Sequence, residues 1–370
     1  MLLFQILIVS QGRGSFFAPT NITNLIAQNS YVVILATGML LCILTGGNID
    51  LSVGSIVALV GAMAGTLIVN LNVNIYLSIL ICLILGIAIG AWQGFWIAYM
   101  RIPAFIVTLA GMLTFRGLAL ILLNGLTISP FPKEYVQYFN SYFNVNSGSG
   151  IPVAFSLTIG AIACCVLIAV QVISRVKKER KHYAVEPFVF TLVKIVIICF
   201  VIMAACWLLG HDKGIPVILI TLGVIVAVYQ YYTSRTVSGR HLYAMGGNEK
   251  AAKFSGIDTN KVMFFAYTNM GFLSAVAALV CVARFNSAAP SAGNSYELDA
   301  IAACFIGGAS AYGGVGTISG AVIGAIFMGV LNNGMSILGI DANWQRAVKG
   351  IVLLGAVIAD VISQKRSRSS

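Results

Sequence analysis

The ten residues GGNIDLSVGS (46–55) interrupt what is otherwise one long apolar tract. Asn48 and Asp50 stand one residue apart behind two glycines, with an apolar run on each side. An ionisable side chain near a bilayer centre costs on the order of 3 kcal/mol on insertion scales, so it is rarely left there without a reason. Non-helical backbone at membrane depth persists only where protein buries it or where it lines a wet cavity. Asn48, Asp50 and Ser52 are therefore candidates for a pathway wall or an inner-face turn. Asp50 also has the chemistry of a helix N-cap for LSVGSIVALV (51–60), because its carboxylate can accept from the free N–H groups of a first turn.

The composition fits that reading across all 370 residues. Hydrophobic residues make up 59% and charged residues 9%, against roughly 25% charged in a soluble domain. The chain reads as an all-α, polytopic helical membrane protein, because its apolar stretches reach the ~20 residues a helix needs to cross a bilayer. The net charge of +11 needs no nucleic-acid partner, since Lys and Arg collect in cytoplasmic loops. The eight cysteines fall in apolar runs without metal-ligand spacing and read as small core residues.

Apolar runs fall at 30–46, 51–70, 75–100, 104–124, 151–174, 188–210, 215–232, 262–283, 299–312, 317–339 and 345–363. A further run at 1–11 is too short to span and lacks the charge pattern of a signal peptide; it reads as a first span cut short. That makes twelve. Lys and Arg cluster in SRVKKERKHY (174–183), in 233–261 and in the tail SQKRSRSS. Even numbers of crossings separate these regions, so all three can be cytoplasmic together. The loop 125–150 then faces outside, and both termini lie inside. Arg346 and Lys349 fit this scheme less well, because they open the last span on its outer side. Gly and Ala cluster in 53–65, 85–92 and 318–330, as helices that approach closely require.

Three constellations could carry function. The segment 233–261 predicts a short helix over about 249–255. Asn248 would be its N-cap, Glu249 would favour its dipole from the first turn, and Gly256 would stop it. Its small residues with one aromatic suit a protein groove better than a lipid surface. The segment 294–320 carries Tyr296, Glu297 and Asp299, with Arg284 and Asn286 nearby in sequence. These carboxylates could meet a polyol, or could cap the next helix and pair with Arg284. Arg116, in the middle of LTFRGLAL, is expected to face the bundle interior. No phosphate-binding loop, zincin motif or nucleophile elbow is present, so nucleotide hydrolysis and hydrolase chemistry are not expected of this chain.

The longer motifs carry a resemblance. GGNIDLSVGS (46–55), PAFIVTLAGMLTFRGL (103–118), GRHLYAMGGNEKAAKFSGI (239–257), YELDAIAACFIGGASAYGGVGTISG (296–320), VLNNGMSILGI (330–340) and WQRAVKGIVLL (344–354) occur in one order along most of the chain. Together they are similar to the permease subunits of bacterial monosaccharide ABC importers of the ribose, xylose and galactose type. The resemblance implies a single permease domain of the type II ABC importer kind, with about ten core spans. Residues 175–215 add a charged loop and an extra helix pair, which looks like the xylose-type and multiple-monosaccharide permeases.

The resemblance also implies partners: a second permease subunit forming a homodimer, a cytoplasmic ABC ATPase with two nucleotide domains, and an extracytoplasmic sugar-binding protein. ATP and Mg would be held by the ATPase, leaving this chain without a cofactor. The family's cytoplasmic motif falls on Gly246, Gly247, Asn248, Ala251, Ala252, Ser255 and Gly256, with Glu249 and Phe254 inside the same helix. A substrate pathway is expected along Asn48, Asp50, Ser52, Arg116, Asn286, Tyr296, Glu297, Asp299, Asn332 and Asn333. The rival readings are an ABC permease for branched-chain amino acids, nucleosides or a furanosyl signal molecule, and an ion-coupled secondary carrier.

Overall fold

A computed structural model describes residues 1–143, 152–180 and 188–369. The helices are α1 (Leu2–Ser10), α2 (Pro19–Leu44), α3 (Val53–Gly65, extended by a π-helical turn at Thr66–Asn70), α4 (Ile75–Ala98), α5 (Ala104–Leu123), α6 (Lys133–Asn140), α7 (Pro152–Arg180), α8 (Phe188–Gly210), α9 (Ile218–Arg235), α10 (Val237–Gly247), α11 (Glu249–Phe254), α12 (Thr259–Phe285), α13 (Tyr296–Ile306), α14 (Ile318–Ile337) and α15 (Ala342–Ser369). A two-residue antiparallel pair, β1 (Tyr142–Phe143) with β2 (Ile215–Pro216), is the one sheet among the described residues.

Each of the twelve apolar runs coincides with a helix. Among the described residues, however, only eight helices are long and apolar enough to cross a membrane: α2, α3 with its π turn, α4, α5, α7, α8, α12 and α14. The nine residues of α1 and eleven of α13 are too short, while polar residues dilute the ends of α9 and α15. Three boundaries also moved. α2 starts at Pro19 rather than near residue 30, and its polar first turns close on themselves: Thr23 donates to Pro19 O and Asn29 to Leu25 O. Residues 175–180 are not loop but the end of α7, where Arg175 meets Glu179 one turn on at 2.9 Å; residues 181–183 lie outside the described residues. The expected outer loop contains α6, whose buried Tyr135 donates to Leu279 O at 2.9 Å.

The chain divides into two compact units, one of residues 25–140 and 218–370 (with Met1), the other of residues 2–24 and 141–217. The second unit packs α7 against α8, with Cys206 and Met203 close over Gly160. α9 belongs to the first unit. All eight cysteines are free thiols; Cys165 is exposed and Cys42, Cys82, Cys164, Cys281 and Cys304 are buried.

In the first unit α2, α12 and α3 are innermost. Between apolar helices in lipid there is little hydrophobic drive, so close backbone approach supplies the attraction. α4 presents Gly86, Gly90 and Gly94 at four-residue spacing to α12. A Cβ at Gly90 would lie 2.5 Å from Tyr267 O and 2.9 Å from Thr268 O; one at Gly86 would lie 2.6 Å from Gly271 O. Gly324 of α14 sits against Ala303 O of α13 in the same way. The small-residue clusters in the sequence are these contacts.

This generates a prediction with opposite signs at two glycines. Gly117 of α5 has open space around it, and Gly→Ala in a helix is otherwise favourable by roughly 0.5–1 kcal/mol. Gly117→Ala is expected to hold or raise the melting temperature in detergent. Gly90→Ala, meeting backbone that cannot rotate away, is expected to cost about 1–3 kcal/mol. Equal thermal shifts for the two variants would contradict the packing account.

Candidate functional site

The chemistry-bearing residues of the first unit gather in two clusters. In the first α10, α11 and α12 follow one another with almost no linker. Asn248 closes α10 and caps α11: its backbone is extended and its Oδ1 accepts from Ala251 N at 3.0 Å. Gly256 (φ +84°) takes the left-handed stop position, with Gly256 N donating to Lys253 O and Ile257 N to Ala252 O, the paired bonds of a Schellman terminus. Asp258 then caps α12 by accepting from Lys261 N at 3.1 Å. That bond holds the Asp258 carboxyl below the usual carboxylate range. The helix is where the sequence put it.

Its facing is a different matter. Ala252 is buried against the chain itself, whereas Phe254 is 89% exposed and Ala251, Ser255 and Gly256 are open beside it. Ala252 therefore seats the helix, and its exposed face is centred on Phe254. Glu249 also turns inwards, to the Arg101 guanidinium at 2.5 Å. A cavity of about 540 Å³ opens here, with Thr45, Asn48, Arg101, Gly246 and Glu249 in its lining.

The elbow from α10 into α11 rests on glycine backbone. A Cβ at Gly246 would lie 1.9 Å from Leu44 O and 2.3 Å from Gly314 N, and one at Gly313 would lie 2.4 Å from Gly46 Cα. Gly314 N donates to Leu44 O at 3.2 Å and Tyr243 Oη to Gly316 O at 3.0 Å. The breaks at 46–50 and 313–316, singled out separately in the sequence, thus touch each other and the end of α10. Gly246 is a close-approach residue; Gly247 has open space around it.

Behind this junction Asp50 is fully buried. It does not cap α3. The N-cap is Ser52, without a side-chain capping bond, and Asp50 Oδ1 accepts from both Ser52 N (2.8 Å) and Ser52 Oγ (2.6 Å). The carboxylate lies two residues before the helix and closes a turn instead. Gln93 of α4 donates to Ser52 Oγ at 2.7 Å, while Asp50 Oδ2 and Gln93 Oε1 have no hydrogen-bond partner among the described residues. Asp50 and Ser52 are sealed inside the bundle; Asn48, half-buried, reaches the cavity.

In the second cluster Asp299 is fully buried at the start of α13. It pairs with Lys349 of α15, whose Nζ lies 2.9 Å from Oδ1 and donates to Oδ2 at 3.0 Å. The expected partner, Arg284, is not the residue it meets. Tyr31 Oη donates to Oδ2 at 2.7 Å and Asn332 Nδ2 at 3.4 Å, so one carboxylate ties α2, α13, α14 and α15. The Tyr31 and Tyr296 rings stack at 3.8 Å. Arg116 donates to Ala292 O at 2.6 Å and Pro290 O at 3.4 Å, and Asn286 accepts from Phe131 N at 2.9 Å. Both hold loops. Glu297 and Tyr296 are half-buried in this cluster, and Asn333 is buried.

Residues 21–357 match the family model described as branched-chain amino acid transport system / permease component. This chain belongs to that permease family. The permease is 37% identical over 354 residues to the xylose transport system permease protein XylH of Escherichia coli (strain K12), covering 96% of this chain and 88% of the relative. It is 37% identical over 353 residues to XylH of Haemophilus influenzae, covering 95% and 92%. It is 36% identical over 359 residues to the ribose import permease protein RbsC of Escherichia coli (strain K12), covering 97% and 91%. No solved structure matches.

Sequence reasoning missed four residues of this permease's two clusters: Tyr31, Gln93, Arg101 and, as a partner, Lys349. Only Lys349 had left a signal, as a cation that fitted the charge pattern poorly. Its pairing generates a prediction. Removing one partner of a buried ion pair costs roughly 3–5 kcal/mol, whereas removing both is far milder. Lys349→Met is expected to destabilise the purified permease on that scale, and Asp299→Asn with Lys349→Met to recover most of it. A double variant no more heat-stable than Lys349→Met alone would count against the pairing.

Proposed function

We propose that this permease is the membrane-spanning half of a monosaccharide importer, carrying xylose or a related pentose or hexose across the cytoplasmic membrane by alternating access. A separate cytoplasmic ATPase with two nucleotide domains supplies the work, and a sugar-binding protein outside delivers the substrate. Two copies of this chain form the pathway. The end carrying α11 faces the cytoplasm, as do both termini, in keeping with the Lys and Arg of 233–261 and the tail. ATP and Mg belong to the partner.

One observation carries the coupling half of this reading: the 89% exposed Phe254 on a two-turn helix whose neighbouring elbow is fixed, backbone on backbone, to the ends of α2 and to the loop before α14. An aromatic side chain that faces outward at the tip of a rigid element is what a docking partner buries. The sugar half rests on the relatives. XylH and RbsC are named for xylose and ribose, and both match nearly the full chain. Branched-chain amino acids enter through the family description, and these full-length matches favour a sugar over them.

Phe254→Asp tests the coupling. Co-purification with the ATPase is expected to fall at least tenfold while the permease alone melts as the parent does, since no packing within the chain is lost. In proteoliposomes carrying the complete transporter, labelled xylose is expected to enter only with ATP and the binding protein present. Uptake by this chain alone, driven by an ion gradient, would overturn the importer reading.

A further inference from the structure

We propose that Arg101 is the residue that passes movement of α11 into α4 and α5, by gripping both flanks of that short helix at once. The inference rests on the reading that α11 meets the ATPase. Arg101 lies in the turn between α4 and α5. Its Nη1 donates to Glu249 Oε1 at 2.5 Å, and its Nη2 to Asn260 Oδ1 at 2.5 Å and Thr259 Oγ1 at 3.4 Å. Glu249 is the first residue of α11, and Thr259 and Asn260 are the first two of α12. One planar guanidinium thus spans the segment from the start of α11 to the start of α12, a geometry that the single ammonium of lysine does not offer.

The backbone supports a dedicated role. Arg101 sits at φ +57°, in the left-handed region that is costly for an L-residue and that glycine occupies freely. Such strain persists where the surrounding structure over-determines it and the residue has a use. Here the use is the side chain. Two positions later Pro103 is the N-cap of α5 at φ −52°, a dihedral its ring fixes. The turn is therefore short and stiff, and a pull on Arg101 is delivered to the first turn of α5. α5 packs on α3, with Gly111 against Gln93 and Ser52, so the pull arrives at the buried turn of Asp50.

Two further observations separate a mechanical role from a stabilising one. The side chains of Arg101 and Glu249 are 43% and 42% exposed, and an ion pair that open contributes little to stability. The cavity beside it, about 540 Å³ and lined by both residues, leaves room for the guanidinium and α11 to shift together.

The test uses the complete transporter in proteoliposomes, with ATP hydrolysis and labelled xylose uptake measured on the same vesicles. Arg101→Gln is expected to keep ATPase co-purification and the melting temperature of the permease, and to lower sugar moved per ATP at least tenfold. Arg101→Lys is expected to fall between. The exchange R101E with E249R is expected to restore part of the ratio that either single change loses. Unchanged sugar per ATP in Arg101→Gln would overturn the proposal, and so would loss of ATPase binding in that variant, which would make Arg101 a docking residue. If Phe254→Asp still binds the ATPase and transports, the docking reading itself fails; if it does not bind while Arg101→Gln transports normally, only the clamp fails.

Discussion

The structure of the α11 end depends on one absence, the missing side chain at Gly246. Any Cβ there would overlap the Leu44 carbonyl and the Gly314 amide, so three chain breaks far apart in sequence meet through backbone alone. The contact is stiff because peptide planes have no rotamers to absorb a shift. It also uses no apolar burial, which does little between elements already surrounded by lipid. Everything at that end takes its position from this junction: the cap at Asn248, the short helix after it, and the cavity that Asn48 and Arg101 help to line.

The Asp299 cluster is built on the other available principle, a charge that must be answered. Asp299 is fully buried, and a lone carboxylate there would carry a large desolvation penalty. Three helices supply Lys349, Tyr31 and Asn332 to a single carboxylate on a fourth. Of these, Asp299 and Asn332 read in the sequence as candidates for the substrate pathway. In this arrangement both are engaged in ties between helices. Asp50 and Ser52 are likewise bonded to each other, and Arg116 and Asn286 hold loops. Polarity inside a membrane bundle marks internal ties first, because lipid offers a polar group no alternative partner.

What the sequence made legible follows from the range of each interaction. The short helix at 249 was readable to the residue, since its cap bonds reach three positions and its stop five. The membrane-spanning character was readable from apolar length, though the count took in α9, α13 and α15, which are not among the eight helices long and apolar enough to cross. The Asp50 turn was misread by two residues because an N-cap and a turn before a helix draw on the same residue types. Pairings were out of reach: Asp299 meets a lysine fifty positions on, while Arg284 was nearer in sequence and the obvious choice. Arg101 was invisible for another reason. A lone arginine in a short turn looks like any residue of a cytoplasmic loop, and only its φ and its reach across 148 positions to Glu249 set it apart.

The facing of α11 shows where local reading stops. Six residues make under two turns, and the pair Ala251–Ala252 gives no amphipathic contrast by which to tell inside from outside. The contrast comes from the glycine junction, which fixes the roll of α10 and hence turns Ala252 to the bundle and Phe254 to solvent. The exposed face of α11 and the bonds that hold the helices are thus different residues, so that face can be displaced without breaking the ties that keep the bundle together.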